Sequence, residues 1–263
     1  MAKYQGKHCG DSHKKKIIYI LLLIVFTVMF IYSSVKIITW YLNNKQNQEI
    51  QAELSQMITI DENAEEETDR YKVDFNALKE KNPDTVAWLK VKGTNIEFVV
   101  VKANDNNYYL RRNFEKQYNV AGWIFADYRN KFDGTDKNIV IYGHNMLNDA
   151  MFGTLTNVIK EDWYNNEENY DVILVTEEGV TSYRVFSTYQ IENEDYYITT
   201  NFDNDRPFKE FIDTVKGRSV KDYNTEVTED DSILTLSTCA SSNKYRIVLH
   251  AVKLEEEKLQ LEE

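Results

Sequence analysis

Ser232-Ile233-Leu234-Thr235-Leu236-Ser237-Thr238 runs directly into Cys239, and after a short polar connection Tyr245-Arg246-Ile247-Val248-Leu249-His250-Ala251 begins a second apolar run. The first reads as a buried strand that ends on a thiol. In the second, period-two alternation puts Arg246, Val248 and His250 on one face and Tyr245, Ile247 and Leu249 on the other. Far upstream, Ile139-Val140-Ile141-Tyr142-Gly143-His144-Asn145 is another apolar strand, this one ending on an imidazole. A Cys, a His and an Arg delivered by strands or strand ends are the parts needed for acyl transfer through a thioester.

Each piece has a plain structural reading. A lone Cys is by default a small buried residue, and a His at a strand end is more often a satisfied structural group. His250 is expected to be such a residue. Arg246 is different, because a guanidinium in an apolar strand is costly without a partner. A place on the rim of a site explains it better. There it can hold a substrate carbonyl or a developing oxyanion, worth about 3–4 kcal/mol in other enzymes.

Further strands are expected at Val86–Val91 and Ile96–Val101, joined through Lys92-Gly93-Thr94, and at 122–126, 138–142, 170–176 and 181–190. The last two flank Glu177-Glu178-Gly179. Helices are expected over 74–81, closed by Pro83, over 150–158, and over 206–215 with Asp205 as N-cap and Pro207 in the first turn. Many short strands without a βαβ rhythm point to a mainly β protein, a closed or nearly closed barrel with helical additions.

The chain begins with a different chemistry. From Ile17 to Val35 no residue is charged. At about 1.5 Å per residue such a helix approaches the ~30 Å hydrocarbon core of a bilayer. Tyr32-Ser33-Ser34-Val35 is a poor cleavage site, so an uncleaved anchor is expected rather than a signal peptide. Lys14, Lys15 and Lys16 precede it, which keeps the N-terminus cytoplasmic and places the rest outside. The first 42 residues hold six lysines and one aspartate, so of the total charge of −12 the remainder carries −17. That excludes nucleic-acid binding through backbone charge. Cys9 and Cys239 are the only cysteines and fall on opposite sides of the anchor, so they cannot pair within one chain. His8, Cys9 and His13 lack a fourth ligand for a structural metal site. Ile50, Leu54 and Met57 suggest a separate short amphipathic helix over 43–57, and Asp61–Glu67 a solvated acidic linker.

Taken together, Leu236-Ser237-Thr238-Cys239, Arg246 and Tyr142-Gly143-His144-Asn145 resemble the signature of sortases, the membrane-anchored cysteine transpeptidases of Gram-positive bacteria. Asn82–Leu89, Asp105–Arg112, Phe125–Asn130 and Met146 with Met151–Leu155 are similar to class B in particular. The resemblance runs from about Asp74 to Leu254. Phe98-Val99-Val100 departs from it where many sortases carry a proline, and Ser241-Ser242-Asn243 is a short, polar version of the connection to the Arg strand.

The resemblance implies a closed eight-stranded sortase barrel with N-terminal helices and a helix inserted before the Cys strand. It implies Cys239 as nucleophile, His144 as acid and then base, and Arg246 as oxyanion stabiliser. Ser237, Thr238 and Asn145 become candidates for binding substrate. The chemistry needs no cofactor and no metal. The partners implied are surface proteins with a C-terminal sorting signal, cut after Thr, and the amino group of a lipid-linked peptidoglycan precursor. The signal is Asn-Pro-x-Thr-Asn-like or Pro-x-Thr-Gly-like. The expected organisation is a cytoplasmic segment 1–16, a single-pass signal anchor 17–42, a helical and acidic linker 43–73, an extracellular catalytic domain 74–255 and a charged tail 256–263. Three alternatives stand beside it: a cysteine protease that hydrolyses the same acyl-enzyme, a pilin-polymerising sortase, and a surface binding module with a structural Cys239.

Overall fold

Between Asp11 and Ser55 the sequence holds no proline and no glycine, so nothing interrupts a helix once it has started. In the computed structural model, which describes residues 10–65, 67–146, 148–192, 194–202, 207–239 and 244–254 (backbone alone at 10–13, 67, 68 and 239), this stretch is one helix, α1, Gly10–Ser55. The separate helix expected over 43–57 is therefore the last part of α1. Its apolar segment reaches a mean hydropathy of 2.5 over eighteen residues, none of them buried. His8 and Cys9, the Asp205 cap, the start of the following helix at Arg206, the Ser241–Asn243 connection and the tail 256–263 lie outside the described residues.

The chain forms two compact units, Met1–Gln46 and Asn47–Glu263. Within the second, Ile50 and Leu54 of α1 are buried, and the Asn47 amide bridges the Gly122 carbonyl and the Asn119 amide. A small antiparallel sheet follows: β1 (Ile58–Ile60) pairs with β2 (Tyr71–Val73), with α2 (Glu67–Arg70) leading into β2. The acidic run expected as a linker is thus the connection of this hairpin. Helix α3 (Phe75–Lys81) is capped by Asp74, whose carboxylate accepts from the Ala77 N–H at 3.0 Å.

The barrel strands are β3 (Thr85–Val91), β4 (Glu97–Val101), β5 (Phe125–Ala126), β6 (Asn138–His144), β7 (Asp171–Thr176), β8 (Gly179–Glu192), β9 (Ile233–Cys239) and β10 (Tyr245–Lys253). They close in the order β10-β8-β7-β3-β4-β5-β6-β9. All neighbours are antiparallel except β4–β5 and β6–β9. Gly93 turns the β3–β4 hairpin at φ 70° and Gly179 the β7–β8 hairpin at φ 136°, backbone states open chiefly to glycine.

Three expected elements differ. Of the strand expected over 122–126 only Phe125–Ala126 forms, because Gly122 turns left-handed and Trp123 donates its N–H to Tyr109 and its indole to the Val99 carbonyl. The helix expected over 150–158 is a 3-10 helix, Gly153–Ile159, followed by α4 (Glu161–Tyr164). Asp149 and Met151, at φ 60° and 54°, turn the chain before it can start. Helix α5 (Phe208–Gly217) begins after Pro207, which is its N-cap rather than a first-turn residue.

Alternation on β10 divides two apolar clusters. Ile247, Leu249 and Ala251 join the main core with Trp88, Leu89, Val140, Leu234 and Leu236. Val248 and Val252 join Phe186, Tyr189 and Ile233 under Phe208, Phe211, Ile212 and Val215 of α5. Each Val, Leu, Ile or Phe among them contributes about 1.5–3 kcal/mol by burial. Leu54, only 1% exposed, ties the end of α1 to the barrel unit. Leu54→Ala is expected to cost about 2–5 kcal/mol in urea unfolding; an unchanged midpoint would show that this end of α1 does not stabilise the barrel.

Candidate active site

Strands β6 and β9 run parallel in unbroken register from Asn138 opposite Ile233 to His144 opposite Cys239. Both apolar runs therefore end in the same row. Strand β10 returns antiparallel to β9, its last pair being Val248 with Ser237. One step further the Ile247 N–H donates to Thr238 Oγ1 at 2.9 Å, and two steps further stand Arg246 on β10 and Cys239 on β9. The three candidate residues thus occupy one row across three neighbouring strands. The fold brings together what the sequence keeps far apart.

His144 is 6% exposed, and its Nε2 lies 2.8 Å from the Leu110 carbonyl oxygen. A carbonyl only accepts, so Nε2 carries the proton and a neutral ring keeps its lone pair on Nδ1. Leu110 sits in a 3-10 turn, Tyr108–Arg111, started by the Asp105 carboxylate, which accepts from the Asn107 and Tyr108 N–H groups at 2.7 and 2.8 Å. Beside His144, Gly143 leaves no room for a side chain: a Cβ there would fall 2.5 Å from Ile124 Cδ1 and from the Phe152 ring. The Phe152 N–H donates to the His144 carbonyl at 3.0 Å.

Arg246 is half-buried, and its Nη1 reaches the Tyr245 carbonyl at 3.5 Å. Asn145 is exposed and forms a bridge with Met151. Ser237 and Thr238 are buried: the Ser237 hydroxyl meets the Tyr197 hydroxyl at 3.0 Å, and the Thr238 hydroxyl serves the Ile247 N–H. Both side chains face protein partners.

Sequence reading did not single out Leu110, Asp127, Asn138 or Tyr197. Asp127 is fully buried and accepts five hydrogen bonds, from Arg129 Nε, Nη2 and N, Tyr142 Oη and Asn106 Nδ2. Burial opposes its ionisation, but these donors, Arg129 first, hold the carboxyl below its usual range. The Asp-x-Arg spacing in Asp127-Tyr128-Arg129 was the one available sign.

His250 has no exposure, and its protonation follows from its neighbours. Asn138 Nδ2 donates to the Thr199 carbonyl, so its Oδ1 faces Thr235 and accepts from that hydroxyl. Thr235 must then accept from His250 Nδ1–H, which leaves Nε2 to accept from the Tyr189 hydroxyl at 2.8 Å. Burial, with the nearby Arg218 guanidinium, pushes the His250 pKa down to about 3. It is a structural residue, as expected.

A closed mixed barrel whose strand register sets a cysteine, a histidine and an arginine in one row fits a thiol-dependent acyl transferase. Comparison with known proteins gives the family. Residues 89–254 match the Sortase domain. The chain is 32% identical to Sortase B of Staphylococcus aureus over 234 residues, 88% of this chain and 93% of that protein. It is 33% identical to Sortase B of Listeria monocytogenes over 226 residues, 85% and 90% of the two chains. A Staphylococcus aureus sortase B–substrate complex superimposes with a TM-score of 0.71 at 30% identity, covering 82% of this chain and 99% of that one. The chain belongs to the sortase family, in class B. It is a cysteine transpeptidase, and sortases act on surface proteins with sorting signals and on cell-wall amino groups. Its N-terminal apolar helix fits a membrane anchor.

An unfolded histidine titrates near 6.5, whereas His250 in the fold titrates near 3. Between those values the unfolded chain binds more protons. Stability from this group is whole above about pH 6.5 and falls as pH drops, by up to about 1.4 kcal/mol per unit. Urea unfolding of wild type from pH 7.5 to 4 should thus steepen relative to His250→Gln. Parallel pH dependence in the two would contradict the neutral buried ring.

Proposed function

We propose that Cys239, His144 and Arg246 carry the transpeptidation, and that the row they share at the ends of β6 and β9 and the start of β10 is the active site. The Cys239 thiolate attacks the carbonyl carbon of the Thr in a sorting motif, forming a C–S bond and an oxyanion that the Arg246 guanidinium stabilises. Collapse breaks the C–N bond. His144, which holds the thiol's proton on Nδ1 beside its Nε2–H on Leu110, gives that Nδ1 proton to the departing amine, leaving a thioester and a neutral ring. An incoming amine then attacks the thioester, His144 takes its proton, and the C–S bond breaks to restore the thiolate. The register of β6 against β9 is the observation that supports this assignment most strongly.

Of the other candidates, exposed Asn145 beside His144 is suited to meet substrate directly. Ser237 and Thr238 act through their backbone and through the walls they hold. The acceptor is the amino group of a lipid-linked peptidoglycan precursor. The catalytic unit lies outside the cell and the N-terminus inside, with the lysines before the single span setting that orientation. A donor held by its own apolar tail and a lipid-linked acceptor then meet the enzyme in two dimensions, which raises effective concentration.

The full chain in detergent, given a small panel of sorting-motif peptides with and without an amine acceptor, tests the reaction. Ligated product that depends on amine is expected; product indifferent to amine would indicate a hydrolase. Cys239→Ala and His144→Ala should lower kcat/KM at least about 10³-fold with little change in Tm. Arg246→Lys should lose about 10²-fold, since an ammonium lacks the planar fork. Near-normal turnover of any of the three removes that residue from the mechanism.

A further inference from the structure

Asp127 belongs to none of the roles assigned above, yet its hydrogen bonds to Tyr142, Asn106 and Arg129 lead to three elements around the proposed site. Its Oδ2 accepts from Tyr142 Oη at 2.8 Å, and Tyr142 stands two residues before His144 on β6. The same oxygen accepts from Asn106 Nδ2 at 2.9 Å, while Asn106 Oδ1 takes the Tyr128 N–H at 3.0 Å. Asn106 lies two residues before the 3-10 turn that presents the Leu110 carbonyl to the His144 ring. The third connection runs through Arg129, held by both carboxylate oxygens at 2.7 Å, whose Nη2 also donates to the Ile198 carbonyl at 2.9 Å. Ile198 closes the short turn Tyr196–Ile198, whose Tyr197 meets Ser237, two residues before Cys239.

We propose that Asp127 is a positioning residue for transpeptidation: one buried carboxylate fixes the strand end bearing His144, the turn that holds the His144 ring, and the short turn whose Tyr197 meets Ser237 on β9. The role rests on the reading of His144 as acid and base. Only an ionised carboxylate can fill it. An amide at this position would turn an NH2 group either on Arg129 Nε and N or on Arg129 Nη2, Tyr142 and Asn106, so donors would face donors in both orientations. Asp127→Asn keeps the shape and removes the function.

The test uses the full chain in detergent, a sorting-motif peptide with amine acceptor, and histidine-selective 13C NMR of the His144 ring. Asp127→Asn should lower kcat about 10²-fold, the scale of a small misplacement of catalytic groups. Its His144 signal should broaden or double. Tyr142→Phe and Asn106→Ala, which cut the two connections to His144, should lower kcat with KM nearly constant. Arg129→Gln, which cuts the connection to Ile198, should chiefly raise KM. In the Asp127→Asn background each should add little. Near-wild-type kcat in folded Asp127→Asn and Tyr142→Phe overturns the proposal. So does activity lost only in proportion to folded protein, with no split between kcat and KM and an unchanged ring signal. If Asp127→Asn does not fold, Tyr142→Phe and Asn106→Ala decide alone. An inactive His144→Ala beside fully active Asp127, Tyr142 and Asn106 variants would leave the acid–base reading standing without the hub; an active His144→Ala would remove both.

Discussion

The parallel pairing of β6 with β9 is the constraint on which the chemistry rests. Seven consecutive pairs, from Asn138–Ile233 to His144–Cys239, leave no latitude for slippage. A slip of one residue on β9 would turn Leu234 and Leu236 away from the main core and put Thr235, the partner of Asn138, in their place. The same hydrophobic term that closes the barrel therefore aligns an imidazole with a cysteine far along the chain. Gly143 sharpens the alignment, because the Phe152 and Ile124 side chains occupy the space a larger residue would need. Strand β10 completes the row through its own pairing with β9.

Around this apolar frame lie two buried polar networks with opposite electrostatic character. One centres on an ionised carboxylate, Asp127, made tolerable by five donors, two of them on the half-exposed Arg129 guanidinium. The other centres on a neutral ring, His250, whose two nitrogens are fixed as donor and acceptor by Thr235 and Tyr189. Each uses its hydrogen-bonding capacity, which is how polar groups at such depth avoid a large desolvation cost. They link β6, β8, β9 and the segments over them without contributing to the row itself. The enzyme thus keeps one histidine buried and structural, and the other at a strand end with its Nε2 on the Leu110 carbonyl.

Much of this was legible in the sequence, and for identifiable reasons. Strands β6, β9 and β10 announce themselves because buried strands read as short apolar runs, and glycines at 93 and 179 mark hairpins. Alternation on β10 correctly separated the face of Val248 and His250 from that of Ile247 and Leu249. The pairing β1–β2 stayed hidden because three residues carry no period. The change of composition after Leu42 suggests two helices where α1 is one, because composition does not end a helix and no proline or glycine lies between Asp11 and Ser55. The Leu110 contact could not be read at all, because a backbone carbonyl has no sequence signature. Asp127 was visible only as part of a resemblance; its importance comes from contacts with Asn106 and Tyr142 that sequence separation conceals.

Mass-spectrometric trapping of the acyl-enzyme bears most directly on whether the row is the reaction centre. The full chain would be incubated with a sorting-motif peptide, without amine, quenched in acid and digested. The expected result is an adduct equal to the peptide fragment ending at Thr, on the fragment containing Cys239 and released by hydroxylamine. Peptide cleavage with the adduct on Cys9, on a hydroxyl, or on no residue would contradict it.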